Sequence, residues 1–327
     1  MFQFKNLFKL RGQSSLFTKF TPRNNQLAVR CHSTYRRFNN RTVASHFIYD
    51  PNFRKYAGGF LVLSGIFYVA NLEPAPVSGR RRFIWISEGL EKKVGDYTYK
   101  QVLAENRGKI LPSHHPISQK VTGIFKKILD VSPVDESHLD WKVHIVNDPN
   151  APPNAFVLPG GKVFVFSSIL GICANDDGIA TVLSHEFAHQ LARHTGENLS
   201  KTPIYAILGL IMYSLTGADM FNSLLINAVF KMPASREMES EADYIGLMLM
   251  SEACFDPKEA SRLWERMSKW EKRSGISQPE FLSTHPGTER RISNMQKWLP
   301  EAEEKRERSH CNDFISFYDF GRGREIF

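Results

Sequence analysis

Five consecutive residues, His185, Glu186, Phe187, Ala188 and His189, have the types and spacing for metal chemistry. On a helix, residues four apart share one face, so the two imidazoles can reach one metal ion. Glu186 then lies beside the coordination position at which a water would bind. This His-Glu-x-x-His pattern is typical of zinc hydrolases in which the glutamate is the general base. The sequence therefore predicts two metal ligands and a base within a single helical turn.

The residues before this motif predict the helix that it needs. Asn175 is a good N-terminal capping residue, and apolar positions recur at helical spacing as far as Leu191. The spacing of a metzincin is absent, because Ala192 and Thr195 stand where that group has glycine and histidine. His194 lies one residue before that last position. We therefore expect His194 to be a structural group or a neighbour that supports a metal ligand.

A catalytic zinc needs a third protein ligand, and a second segment offers two candidates. Glu239 and Asp243 are four residues apart in a helical pattern that Ser235 could cap. One carboxylate could bind the metal while the other accepts the free ring N–H of a ligand histidine. Arg236 is close enough in sequence to pair with either. Glu241 points to another face of this helix, where we expect it to be solvated.

A substrate-binding segment is also predicted. Residues 141–146 have a strand pattern, and residues 154–158 and 162–166 form a hairpin pattern around Pro-Gly-Gly. If the strand at 154–158 lies at a sheet edge beside the metal helix, an extended peptide could pair with its main chain. An ordinary buried sheet is the alternative. The candidate contact residues are Asn154, Ala155, Phe156 and Val157.

The order of the motifs resembles that of one peptidase family. The His-Glu-x-x-His motif is followed by Arg193-His194, Glu239-x-x-x-Asp243, Thr284-His285-Pro286 and Arg291-Ile292. Over roughly residues 85 to 310, the chain resembles the gluzincin peptidases related to bacterial HtpX. Within them it is most similar to the Oma-type peptidases of the mitochondrial inner membrane.

The resemblance implies a role for each candidate residue. Glu186 is the general base, and Asp243 orients a ligand histidine. His285 would stabilise the oxyanion, although a structural turn before Pro286 fits equally well. One Zn²⁺ per chain would be held by His185, His189 and Glu239.

The resemblance also implies the fold and the function. The expected fold class is α+β, a mainly helical zincin-like domain with a small sheet. The expected function is proteolysis of inner-membrane proteins in quality control and under stress. A noncatalytic membrane scaffold or holdase with a structural zinc is the alternative, but a structural site does not need Glu186 and usually fills its fourth position with Cys or His. A homo-oligomer is left open.

The first 49 residues predict the compartment. They hold nine Lys or Arg and no Asp or Glu, which is typical of a mitochondrial transit peptide rather than a secretory signal. The whole chain carries 42 Lys and Arg against 34 Asp and Glu. The part beyond the leader is therefore close to neutral, and nucleic acid is not an expected partner.

Two apolar stretches predict contact with the lipid bilayer. Residues 56–72 carry no charge and approach the lower length limit for a transmembrane helix. With the basic leader held in the matrix, the catalytic domain would face the intermembrane space. Residues 202–230 are also apolar, but a single full crossing there would separate His185 from Glu239. The segment must therefore either double back into the bilayer or pack within the protein, and we expect a hairpin that dips into the bilayer.

The predicted organisation is a transit peptide (1–49), a transmembrane helix (56–72), a linker with peripheral helices (73–110), a zinc peptidase domain (111–310) that contains the apolar hairpin, and a C-terminal tail (311–327). Cys254 and Cys311 could pair, since the intermembrane space permits disulfides. Two buried free thiols are the alternative, because a sequence gives no distance between them.

Overall fold

The computed structural model describes residues 51–135, 139–274, 288–309 and 311. The chain divides into two compact units, residues 1–59 and residues 60–327. The predicted transit peptide, His285 and the predicted tail beyond Cys311 lie outside the described residues.

The described part is mainly helical with two small sheets, as the sequence predicts. Its helices are α1 (Pro51–Ala70), α2 (Glu88–Glu105), α3 (Pro116–Asp130), α4 (Ser167–Cys173), α5 (Asp176–Leu191), α6 (His194–Thr216), α7 (Asp219–Ile226), α8 (Met232–Glu252), α9 (Lys258–Ser274) and α10 (Thr288–Arg308). A π-helical turn, Asn227–Lys231, joins α7 to α8. The strands are β1 (Leu72–Pro74), β2 (Arg81–Phe83), β3 (Lys142–Val146), β4 (Ala155–Leu158) and β5 (Lys162–Phe166).

The larger sheet has the strand order β3-β5-β4. The central strand β5 runs parallel to β3 and antiparallel to β4, with Leu158 opposite Lys162. The predicted hairpin is therefore confirmed. Its turn contains Gly160 and Gly161, both at positive φ, where a side chain would be strained. β4 is left as an edge strand of the sheet.

A β-hairpin stands where the sequence predicts a linker. β1 and β2 pair antiparallel, with Leu72 opposite Phe83 and Pro74 opposite Arg81. We call residues 72–83 the N-terminal strap. Each of its strands has three residues, which is too short for an alternating pattern to be recognised in the sequence.

Helices α5 and α8 cross at the centre of the core. The side chain of Asn175 accepts a hydrogen bond of 2.7 Å from the Gly178 amide and caps α5, as its sequence predicts. Where the two helices touch, a Cβ on Gly246 of α8 would lie 2.9 Å from the backbone nitrogen of His185. Only glycine allows the backbones to approach this closely.

Helix α8 begins earlier than its sequence predicts. It starts at Met232, directly after the π-helical turn, and has proline in its first turn. Proline is favoured there because the first amides of a helix have no partner within it. Ser235 therefore lies inside the helix and is not its cap, which corrects that expectation.

Helix α3 and strand β4 of the three-stranded sheet also pack against α5. One face of α3 is apolar, and its residues Val121, Ile124, Phe125 and Ile128 are all buried. The ring of Phe125 meets the edge of the Phe187 ring of α5. These contacts fix the position of α5 relative to the sheet.

Helix α1 occupies most of the stretch in which we expect a transmembrane helix. Across the part of the chain that the structure describes, none of the helices combines the length and the apolar character needed to cross a membrane.

The apolar stretch at 202–230 folds back on itself. α6 ends at Thr216, its C-terminal cap Gly217 has a left-handed φ of 67°, and α7 returns beside it. Tyr213 of α6 and Ser223 of α7 line one common cavity. Many apolar side chains of this apolar hairpin face outward, and Leu215 and Met220 near its tip are 78% and 81% exposed.

Cys254 and Cys311 form a disulfide, with their Cα atoms 5.3 Å apart. Of the two alternatives that the sequence leaves open, the structure has the bonded one. The bond attaches the chain three residues beyond α10 to the chain two residues beyond α8.

Removing this bond by Cys311→Ser should lower the free energy of unfolding by about 4 kcal/mol, since chain entropy scales with the size of the closed loop. The loop here spans a sequence separation of 57. Urea unfolding of the oxidised wild type and the variant measures the difference. A reductant should destabilise only the wild type, and an equal effect on Cys311→Ser would contradict the assignment.

Substituting Gly246→Ala should lower the free energy of unfolding by about 1–3 kcal/mol, because the added methyl forces the two helices apart. Gly123→Ala in α3 is the matched control, since a Cβ there meets nothing within 4 Å. Alanine is the better helix former, so the control should gain about 0.5–1 kcal/mol. Equal urea midpoints for the two variants would show that the crossing tolerates a Cβ.

Candidate metal centre

Two helices bring the three predicted ligands together. α5 carries His185 and His189 one turn apart, and α8 carries Glu239. His185 Nε2 lies 3.1 Å from His189 Nε2 and 3.5 Å from Glu239 Oε2. His189 Nε2 lies 3.4 Å from Glu239 Oε1. The three donor groups therefore face a common point.

The donor set and its spacing fit zinc. Two imidazole nitrogens and one carboxylate oxygen are the ligands of many catalytic zinc sites. With metal–ligand distances of about 2.0–2.1 Å, neighbouring ligands of a tetrahedron lie about 3.3 Å apart, which is close to the separations seen here. The side chain of His189 is 19% exposed, against 3% for His185 and 6% for Glu239. Solvent can therefore reach a fourth position from the His189 side.

A buried carboxylate fixes the orientation of His185. Asp243 Oδ1 lies 3.1 Å from His185 Nδ1, which leaves the ring Nε2 facing the other donors. Arg291 of α10 donates from Nε to Asp243 Oδ2 at 2.8 Å and from Nη2 to Oδ1 at 2.6 Å. The guanidinium also stacks 3.5 Å from the centre of the Trp264 ring. Asp243 thus lies where it can hold the tautomer that a metal ligand needs.

The cation beside the two carboxylates is Arg291, whereas the sequence favours Arg236. Arg291 Nη1 lies 3.2 Å from Glu239 Oε2, and Arg236 is exposed on α8. Arg291 is 48 residues from Asp243, so helical spacing could not identify it. Its only signal in the sequence is the Arg291-Ile292 pair of the family pattern, and the resemblance assigns no role to that pair.

These charges shift the pKa values of the buried groups. Burial is the largest influence on Asp243 and raises its pKa, but the Arg291 charge and the hydrogen bond from His185 lower the pKa overall. Burial and Arg291 lower the pKa of His185, but its hydrogen bonds to Asp243 and Glu239 outweigh them and raise it to about 9. The site therefore favours positive charge at this ring, which a divalent cation also supplies.

The other histidine ligand candidate, His189, has a separate set of neighbours. Its Nδ1 lies 2.7 Å from Nδ1 of His194, and His194 Nε2 lies 3.0 Å from Glu241 Oε2. Arg193, with φ of 47°, makes the left-handed turn between α5 and α6 that returns His194 towards His189. Glu241 is buried, not solvated as its sequence suggests, because the N-terminal strap covers that face of α8 and Arg80 pairs with it.

Glu186 is buried on α5 directly after His185. A carboxylate in this position can act as a base towards a water at the fourth metal position. The predicted oxyanion group, His285, lies outside the described residues.

The predicted substrate strand lies against the metal helix, because β4 contacts α5. The amide of Phe166 donates to the Asn154 carbonyl at 3.0 Å. Hydrogen bonding alternates along an antiparallel pair, so Phe156 also bonds inward, while the main-chain groups of Ala155 and Val157 face the open edge. The side chains of Asn154 and Ala155 are buried, and those of Phe156 and Val157 are partly exposed.

Comparisons with known proteins identify the family of the chain. Residues 117–299 match the model of Peptidase family M48. The chain is 54% identical over 300 residues to mitochondrial metalloendopeptidase OMA1 of Saccharomyces cerevisiae, and the match covers 87% of each chain. It is 45% identical over 276 residues to the protein of the same name in Schizosaccharomyces pombe, covering 83% of this chain and 80% of that one.

More distant relatives extend the similarity. Metalloendopeptidase OMA1, mitochondrial, of Homo sapiens is 27% identical over 291 residues, covering 84% of this chain and 55% of its own length. The family match covers more than half of the chain and includes every described residue of the donor set. The chain belongs to Peptidase family M48 and is a metalloprotease.

Proposed function

We propose that this chain is a zinc endopeptidase that cleaves membrane proteins at the mitochondrial inner membrane, with its active site facing the intermembrane space. The observation that carries the proposal is the set of three donor atoms, all within 4.8 Å of one another, with Glu186 on the same helix. The names of the two yeast relatives, mitochondrial metalloendopeptidase, support both the compartment and internal cleavage. The acid-free basic leader supports import into mitochondria.

The residues divide the chemistry between them. Bound zinc would polarise the scissile carbonyl and lower the pKa of water towards about 7. Glu186 takes the proton of the attacking water and passes it to the leaving amine. Asp243 keeps His185 in the tautomer whose Nε2 is free for the metal. Stabilisation of the oxyanion by His285 stays a prediction.

The edge strand β4 is the proposed docking site for the substrate main chain. An extended peptide that pairs with Ala155 and Val157 would lie along α5, beside the metal ligands. Main-chain pairing is independent of side-chain identity, so sequence preference at the cleavage site should be loose.

The apolar hairpin at 202–230 is the proposed contact with the bilayer. α6, which forms its first arm, begins at His194 beside the metal centre. The exposed apolar side chains near the tip, among them Leu215 and Met220, would be shielded from water by lipid. The active site would then lie near the membrane surface, where membrane proteins present their connecting segments.

Changing Glu186→Gln should abolish proteolysis while zinc is retained, since the change removes the base and no ligand. A general base contributes roughly 10²- to 10⁴-fold, so turnover of an unfolded membrane protein should fall by that factor. Metal content by mass spectrometry should remain at one zinc per chain. His189→Ala is the comparison variant and should lose both zinc and activity. Near-normal turnover of Glu186→Gln would refute this mechanism.

The emission of an environment-sensitive fluorophore attached at Leu215→Cys should shift to the blue when lipid vesicles are added, because the hairpin tip enters the bilayer. The labelled protein also carries Cys31→Ser, which removes the cysteine of the leader as a second labelling site. The matched control carries the fluorophore on Lys258→Cys, an exposed position on α9. Its emission should not change. A water-like spectrum at both positions in the presence of vesicles would reject insertion of the hairpin.

A further inference from the structure

A continuous line of buried polar contacts joins the N-terminal strap to His189. His189 Nδ1 lies 2.7 Å from His194 Nδ1, and His194 Nε2 lies 3.0 Å from Glu241 Oε2. Arg80, in the loop of the strap, donates from Nε to the same Glu241 oxygen at 2.7 Å. The contacts therefore run from a loop of the strap through α8 and α6 to a histidine of α5.

The direction of each hydrogen bond follows from the chemistry of the groups. An arginine only donates and an ionised glutamate only accepts, so a neutral His194 ring carries its proton on Nε2, facing Glu241. His194 Nδ1 is then an acceptor, and His189 Nδ1 must donate to it. This leaves the lone pair of His189 on Nε2, the nitrogen that faces the other metal donors. The charge on Glu241 thus selects the tautomer of His189 through His194.

Arg80 is itself held firmly between two helices. Its Nη1 and Nη2 donate to Oε1 and Oε2 of Glu197 on α6 at 3.1 and 2.6 Å. Ser78 of the same loop also donates to Glu241. Within the described residues, Arg80 is the only Arg or Lys that forms an ion pair with Glu241. Without Arg80, the two buried carboxylates would face each other with less compensation.

We propose that Arg80 is a positioning residue for the metal ligand His189, acting through Glu241 and His194. The N-terminal strap therefore contributes to the metal centre through two intervening side chains. This inference rests on the proposed role of His189 as a zinc ligand. His194 is the direct partner of the ligand candidate, and the loss of such a partner typically changes metal affinity or activity by 10- to 100-fold. Because Arg80 acts through His194, its loss should weaken binding of the metal by a factor within that range.

The test compares Arg80→Ala with Arg81→Ala in the purified full chain. Arg81 is the adjacent arginine of the strap and is exposed. Zinc affinity is measured by competition with a chromophoric chelator, and the geometry of the site by the visible spectrum after Co²⁺ replaces zinc. Arg80→Ala should lower zinc affinity about 10- to 100-fold and change the Co²⁺ spectrum. Arg81→Ala should match the wild type in both.

A double-mutant cycle tests the route. His194→Ala should weaken zinc binding to a similar extent as Arg80→Ala, because either change breaks the same line of contacts. The double variant Arg80→Ala/His194→Ala should bind zinc no more weakly than His194→Ala alone. Independent, additive losses would show that Arg80 acts by another path and would overturn the proposal.

Two further outcomes keep the test decisive. If Arg80→Ala does not fold, Arg80→Lys replaces it, since lysine keeps the charge but loses the planar fork. Its zinc affinity should then lie below that of Arg81→Ala, and equality would overturn the inference. A wild type that binds no zinc would reject the proposed function as well. A wild type with one zinc, and an Arg80→Ala variant indistinguishable from Arg81→Ala, would reject only the role of Arg80.

Discussion

The close approach of two helix backbones at Gly246 is the constraint on which the metal centre depends. Packed helices usually have their axes 8–10 Å apart, at distances that their side chains set. At Gly246 no side chain separates α8 from α5, and the backbone of His185 lies against it. Glu239 is about two turns earlier on α8 and reaches the same side of α5. The donor atoms therefore meet because the helices pack closely, and the site is formed by the core rather than by flexible loops.

Each histidine of the donor set is oriented by an arginine from a different end of the domain. Asp243 and Arg291 of α10 hold His185, while Glu241 and Arg80 of the N-terminal strap act on His189 through His194. Both carboxylates are buried, and a buried charge that loses its partner is strongly destabilising. The two arginines thus join the N-terminal strap and α10 to one small region. A displacement of the strap or of α10 would disturb the orientation of the donor set.

The sequence predicts the local parts of this arrangement and misses those that join distant segments. The helical period places His185 with His189 and Glu239 with Asp243, and alternation finds the hairpin of β4 and β5. Arg80 and Glu241 are 161 residues apart, and Arg291 and His185 are 106 apart, so no periodicity relates them. Because Glu241 is charged, the sequence suggests that it faces solvent. Only the structure shows that the N-terminal strap covers it. The sequence misplaces the start of α8, because the π-helical turn continues directly into the helix.

Helix α6 sets the distance between the metal centre and the proposed membrane surface. Its first turns contain buried polar residues, among them His194, Glu197 and Ser200, whereas from Ile204 onward most of its side chains are apolar and many are exposed. The ten residues of helix from His194 to Ile204 span about 15 Å. The donor set, which lies beside His194, would therefore be about 15 Å from the apolar, exposed part of α6. An extended chain needs about four or five residues to cover this distance. A peptide that pairs with β4 while its membrane segment stays in lipid would therefore be cleaved a few residues outside the bilayer, in a segment that can unfold locally.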